Sequence, residues 1–219
     1  MRIPRLLFIA FGLFLDALST QAAPPATISS LPHTITASGT YILAGNLSSS
    51  DSTNAAAIRI QTNIPGPVTV DLKGFTLTGG GGNSVGIGIG ILAGTTESNS
   101  YPITIQNGTL ANFGFGVWAQ CGTGIGLSQV TVRNLSIDTN GQDAGNGGTG
   151  VLFRMVASST IRNCTFHAGS FGIEDVNSLG GNRYINDRFV STNPLFITGQ
   201  DDGVPTILNN CQFDRPPTP

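Results

Sequence analysis

Two pairs of adjacent carboxylates, Glu174-Asp175 and Asp201-Asp202, together with Arg154, are the side chains of this 219-residue chain whose types and spacing could act on a sugar polymer. Hydrolysis of a glycosidic bond needs a proton donor and a second carboxylate, held about 5 to 9.5 Å apart. A lyase needs a base such as Arg154 at an acidified C–H, often with calcium held by several carboxylates. The acids are too few for a convincing calcium cage. The CxxC spacing and His-Cys cluster of a zinc site are absent. No metal or cofactor is therefore expected. A plainer reading stands beside both chemistries. Acids that follow a strand commonly form solvated turns, and an Arg next to a Glu on neighbouring strands is commonly a surface ion pair of little energetic weight.

What must position these residues is a phrase that returns six times: one or two apolar residues, then Gly or Asn, two variable residues, and a bulky apolar one. It runs from Leu72-Lys73-Gly74-Phe75-Thr76-Leu77 through the phrases around Asn107, Asn134, Asn163 and Asn186 to Leu208-Asn209-Asn210-Cys211-Gln212-Phe213. The Gly/Asn positions are 33, 27, 29, 23 and 24 residues apart. A recurring unit too small to enclose a core by itself is the mark of a solenoid. Stacking the phrases aligns Leu77, Leu110, Ile137, Phe166, Phe189 and Phe213 in one apolar column behind a polar one. Period-two alternation within the phrase and a longer period between phrases predict an all-β parallel β-helix of about six coils, with three short strands per coil. Coils of unequal length favour the right-handed form. Asn107, Asn134, Asn163, Asn186 and Asn210 are expected to form an interior hydrogen-bonded ladder, which would close the N-glycosylation patterns at Asn107, Asn134 and Asn163 to a glycan.

Composition agrees with strands. Charged residues make up 10% of the chain and 30 residues are Gly. Arg2 and Arg5, the apolar run Leu6 to Leu15 and Thr20-Gln21-Ala22 read as a secretory signal over residues 1–22, too short to span a bilayer. Secretion or export to a periplasm follows, with no membrane span in the mature chain. Removing residues 1–22 takes away two Arg and one Asp and leaves 8 basic and 11 acidic side chains, an unpromising balance for nucleic acid. The rest divides into a capping segment at 23–54, the β-helix at 55–215 and a Pro-rich tail at 216–219. The tail's prolines cannot extend a sheet, which favours a monomer over an open polymer. Cys164 and Cys211 fall two coils apart, beyond disulfide reach, and are expected as thiols.

From about Ile58 to Phe213 the phrases resemble the pectate-lyase-like superfamily of right-handed parallel β-helix proteins. Ile28 to Leu43 is similar to the opening stretch of exported members. The resemblance implies that a substrate would lie on the outer face of the sheet made by the first strand of each coil. Alternation puts Arg59, Trp118, Leu152, Glu174 and Phe196 outward there, with Gln120, Arg154 and Thr198 in the next column. Gly199-Gln200-Asp201-Asp202 matches the Asp pair of polygalacturonase-like members, but their Gly-His-Gly, Arg-x-Lys and Asn-Thr-Asp have no counterpart. The expectation is an exported module that binds polysaccharide or a cell-surface component through Arg59, Trp118, Gln120, Arg154 and Phe196 without efficient catalysis. The alternatives are a lyase or hydrolase of acidic polysaccharide using Glu174, Asp175, Asp201 or Asp202, and a purely structural or adhesive role.

Overall fold

A computed structural model describes residues 23–50, 55–80, 86–92, 101–122, 126–139, 142–143, 146–190, 193–198 and 204–214, with backbone alone at 142, 143, 146, 147 and 168. The expected leader at 1–22, the tail at 216–219 and the Asp201-Asp202 pair lie outside the described residues. Described secondary structure is all strand, and no helix among the described residues is long and apolar enough to cross a membrane.

Two large parallel sheets dominate. One has seven strands, in the order His33–Ile35, Ala56–Ile60, Ile87–Leu92, Phe115–Gln120, Thr149–Arg154, Phe171–Val176 and Asn193–Ile197. This is the first-strand sheet. The other, called here the turn sheet, has thirteen strands and carries the recurring phrase. Its strands Ile103–Ala111 and Val130–Thr139 run unbroken through the Asn turn, whereas the next two repeats are split into Thr160–Arg162 with Thr165–Ala168 and Arg183–Ile185 with Arg188–Phe189. Neighbouring strands in each sheet come from neighbouring repeats, which is consistent with a parallel β-helix. The segment from Ala23 is built of strands like the repeats that follow it. It supplies four strands, and Ala26–Ile28, His33–Ile35, Gly39–Leu43 and Leu47–Ser48 pair in parallel with each other or with the next repeat.

Register follows the apolar columns. Leu110, Ile137, Phe166, Phe189 and Phe213 are successive partners, as are Ile105, Val132, Ile161, Tyr184 and Leu208. Within the first column the rings of Phe166 and Phe189 stack at 5.0 Å and those of Phe189 and Phe213 at 5.1 Å. Side chains from both sheets enclose one core in which Ile58, Val117, Val132, Ile137, Phe153, Ile173 and Tyr184 are fully buried. Phe213 departs from the pattern. In the last described repeat no further strand covers its outer ring face, and it stays 47% exposed. Gly150 shows how tightly the sheets approach: a Cβ there would sit 2.5 Å from the Gly172 carbonyl oxygen and 2.5 Å from Phe166 Cδ1. Only glycine fits that strand position.

The asparagine stack is present, but on the outside. Asn134, Asn163, Asn186 and Asn210 each donate from Nδ2 to Oδ1 of the preceding Asn, at 3.0, 3.2, 3.3 and 2.9 Å. All five ladder residues have φ between 52° and 59°, the left-handed conformation that Asn tolerates. That turn swings each amide toward solvent and sends the next residue inward, so Leu135, Cys164 and Asp187 are buried while Asn134, Asn163 and Asn186 are exposed. The expected interior placement is therefore corrected, and with it the argument that burial would keep a glycan off. The ladder starts at Asn107, next to the Gly74 turn. The Gly74 turn is two residues longer, Val70 rather than Leu72 pairs with Ile105, and Asn107 Nδ2 donates to Asp71 Oδ2 at 3.1 Å. Burial works against the charge on Asp71, but the Lys73 N–H and the Gln106 and Asn107 amides together hold its carboxyl below the usual range.

Candidate functional site

Strand alternation and parallel register build the outer face of the first-strand sheet. Thr34, Arg59, Gly90, Trp118, Leu152, Glu174 and Phe196 are successive partners along one column, and Leu92, Gln120, Arg154 and Val176 along the next. The structure thus brings Trp118, Glu174 and Phe196 into one line, with Gln120 and Arg154 beside them. It does not leave that line uniformly open. Leu152 is only 7% exposed and joins Ile87 and Phe115 in a small apolar cluster on this outer side, against which Ala56, Leu92, Trp118 and Val176 pack.

Trp118 is half-buried in this cluster. Its ring lies 4.6 Å from that of Phe115, tilted by 49°, and its Nε1–H donates to Gln120 Oε1 at 2.9 Å. The hydrogen bond fixes both side chains and leaves the Gln120 amide hydrogens pointing elsewhere. Beside it, Gln120, Cys121, Gly122, Arg154, Met155 and Asn177 line a hollow of about 190 Å³. Arg154 is exposed. A second hollow of about 170 Å³ lies farther along the same sheet, lined by Arg59, Gln61, Thr62, Asn63 and Leu92. Each hollow offers one guanidinium and side-chain amides at the ends of first strands. Phe196, 42% exposed and tilted against Phe171 at 5.6 Å, marks the other end of the Trp118 column.

The carboxylates separate. Glu174 is half-buried on the outer face, where its Oε2 accepts from Thr149 Oγ1 at 3.4 Å. Asp175, the next residue, points into the core by the same alternation and is fully buried. It accepts from Tyr184 Oη at 2.6 Å and Asn182 Nδ2 at 3.0 Å, leaving its other oxygen without a partner. Burial pushes its carboxyl up in spite of these donors. Asp175 is thus removed from the set that could meet a substrate on this face. Asp187 is a second buried acid. Its Oδ1 accepts the Cys164 N–H at 2.8 Å, its Oδ2 is unpartnered, and burial raises its carboxyl to about 7. Cys121 and Cys164 are buried and Cys211 is half-buried, and all three are free thiols. Burial pushes the Cys164 thiol far up, so it has no nucleophilic character. Among the described residues no group of three or more His, Cys, Asp or Glu is placed to hold a metal ion.

Sequence reasoning passed over Gln61, Asn63 and Asn177, which complete the two hollows. Each follows a first strand closely, and Asn177 sits at φ 52°. The available signal was a side-chain amide directly after a first strand, at Gln61 after Ile60 and at Asn177 after Val176. No family model, curated protein or solved structure matches the chain.

Proposed function

We propose that the chain is an exported right-handed parallel β-helix module, akin to the pectate-lyase-like proteins, that holds a polysaccharide along its first-strand sheet without efficient catalysis. The observation that carries this reading is the hollow formed by Gln120, Arg154 and Asn177 directly beside Trp118. A guanidinium and amides that meet at an aromatic edge are suited to sugar hydroxyls and ring faces. The Arg59, Gln61 and Asn63 hollow repeats that chemistry farther along the sheet, as a chain-like ligand would use it. The apolar run Leu6 to Leu15 behind Arg2 and Arg5 supports export.

Hydrolysis through Glu174 and Asp175 is disfavoured by their divergence. Glycoside hydrolysis needs two carboxyl groups facing the same bond, and only Glu174 faces outward from that pair. Isothermal titration and glycan arrays with pectins, alginates and neutral glycans provide the test. Saturable binding by the wild type, weakened about tenfold or about 1.4 kcal/mol by Arg154→Ala or Trp118→Ala, is the expected outcome. Failure of the wild type to bind any polysaccharide sinks the reading. Reducing-end release or unsaturated product formation that disappears in Glu174→Gln would replace it with an enzymatic one.

A further inference from the structure

The turn sheet carries a charge arrangement on its outer face that the reading above does not use. Arg133 and Arg162 are direct partners on adjacent parallel strands, and Arg183, partner of Thr160, lies on the strand after. Val132, Ile161 and Tyr184 fill the interior, so all three guanidinium side chains stand on the opposite, outer side. Like charges directly opposite each other across a sheet are destabilising. The ion pair found among the described residues is elsewhere, between Arg188 and Asp214 at 2.6 Å. No carboxylate is next in register to Arg162 or Arg183.

The nearest acid in the Arg133 column is Asp71, two strands away, and it is engaged by the Lys73 N–H, Gln106 and Asn107. It reaches Arg133 only through Gln106, whose Oε1 accepts from Arg133 Nε at 2.7 Å and from its terminal nitrogen as well. That contact holds one end of Arg133 in place and leaves its remaining N–H donors available. Thr131 and Thr160 flank the arginines in the neighbouring column and add hydroxyl donors.

We propose that Arg133, Arg162 and Arg183 form a second binding site, distinct from the first-strand hollows, for a phosphate monoester group. Three guanidinium groups without a carboxylate beside two of them match an anion of nearly two charges and three terminal oxygens better than a singly charged carboxylate. None of the register neighbours is aromatic, so the bases of a nucleic acid would find nothing to stack on. Binding removes the mutual repulsion of Arg133 and Arg162, and that repulsion gives a second readout.

Heteronuclear NMR titration of the full mature chain with inorganic phosphate and, separately, glucose 6-phosphate provides the test. Saturable shifts confined to the 130–133, 160–162 and 183–185 strands are expected, at least fivefold weaker in Arg162→Gln and in the exposed Arg183→Gln variant. Tighter binding of glucose 6-phosphate would identify a sugar phosphate as the source, and equal binding the free anion. In phosphate-free buffer Arg162→Gln should melt at a higher temperature than the wild type, and added phosphate should narrow that gap. The assignment is overturned if neither anion gives saturable shifts in the wild type, if both variants bind as the wild type does, or if an oligonucleotide lacking terminal phosphate binds there more tightly. Trp118→Ala should leave phosphate binding intact, so this site and the first-strand site fail separately.

Discussion

The repeats around Asn107 and Asn134 and those around Asn163 and Asn186 use the same turn but satisfy it differently. In the first two the strand passes through the turn unbroken, and Leu135 pairs with Gly108 in the ladder. In the next two the strand is split, and side chains take over backbone donors: Asp187 accepts the Cys164 N–H and Asn182 accepts the Ser159 N–H. The interior changes with it. Around residues 105–137 the buried side chains are apolar, whereas around 173–187 the core holds Asp175, Ser178, Asn182 and Asp187, all fully buried. A buried N–H must find an acceptor, so breaking a ladder brings polar side chains into the core. The solenoid thus exchanges regular backbone pairing for individually placed carboxylates and amides, at the cost of burying two acids.

The sharpest way to break this comparison is to remove the apolar support that both regions share. Phe166→Ala deletes a ring stacked at 5.0 Å on Phe189 and should cost about 3 to 5 kcal/mol in denaturant unfolding. A cost under about 1 kcal/mol would show that the stack is ornamental.

Next in size is pH. Burial raises the Asp187 carboxyl from the usual 3.8 to about 7, so between those values the folded chain keeps a proton that the unfolded chain releases. Its contribution is fully present below pH about 4, is lost as pH climbs through 7, and is flat above, a change of about 4 kcal/mol at most. Asp175 pushes in the same direction. Asp71, held low, contributes the opposite slope, but only as pH falls below about 4. Chemical denaturation at pH 4.5 and 8 should find the protein more stable in acid, with Asp187→Asn flattening the difference. A wild type more stable at pH 8 would contradict the buried-acid account.

The smallest effect concerns the turn itself. Asn163→Ala removes two ladder hydrogen bonds and places Ala at φ 54°, costing about 1 to 2 kcal/mol, while Asn163→Gly should recover part of the loss. Equal stabilities of the two variants would show that backbone conformation contributes little there.

Much of this architecture was legible from spacing. The columns ending in Phe213 and Leu208 follow from period-two alternation, and so does the outward line of Arg59, Trp118, Leu152, Glu174 and Phe196. The side of the ladder was not legible, because Asn in an extended strand and Asn at positive φ present their amides to opposite sides of the wall. Neither was the fate of Leu152, since an outward position can still be covered by a cluster such as Ile87 and Phe115. Asp175 was ambiguous because it stands beside Glu174 in sequence, where one residue is the whole difference between surface and core.

The sequence by itself determined the repeat, the register of like side chains and which residues alternate together, because those depend on local periodicity that every copy of the phrase restates. Tertiary structure alone decided where strands break, which acids become buried and where polar residues gather into hollows. Those outcomes depend on contacts between repeats more than twenty residues apart, and no single phrase contains them.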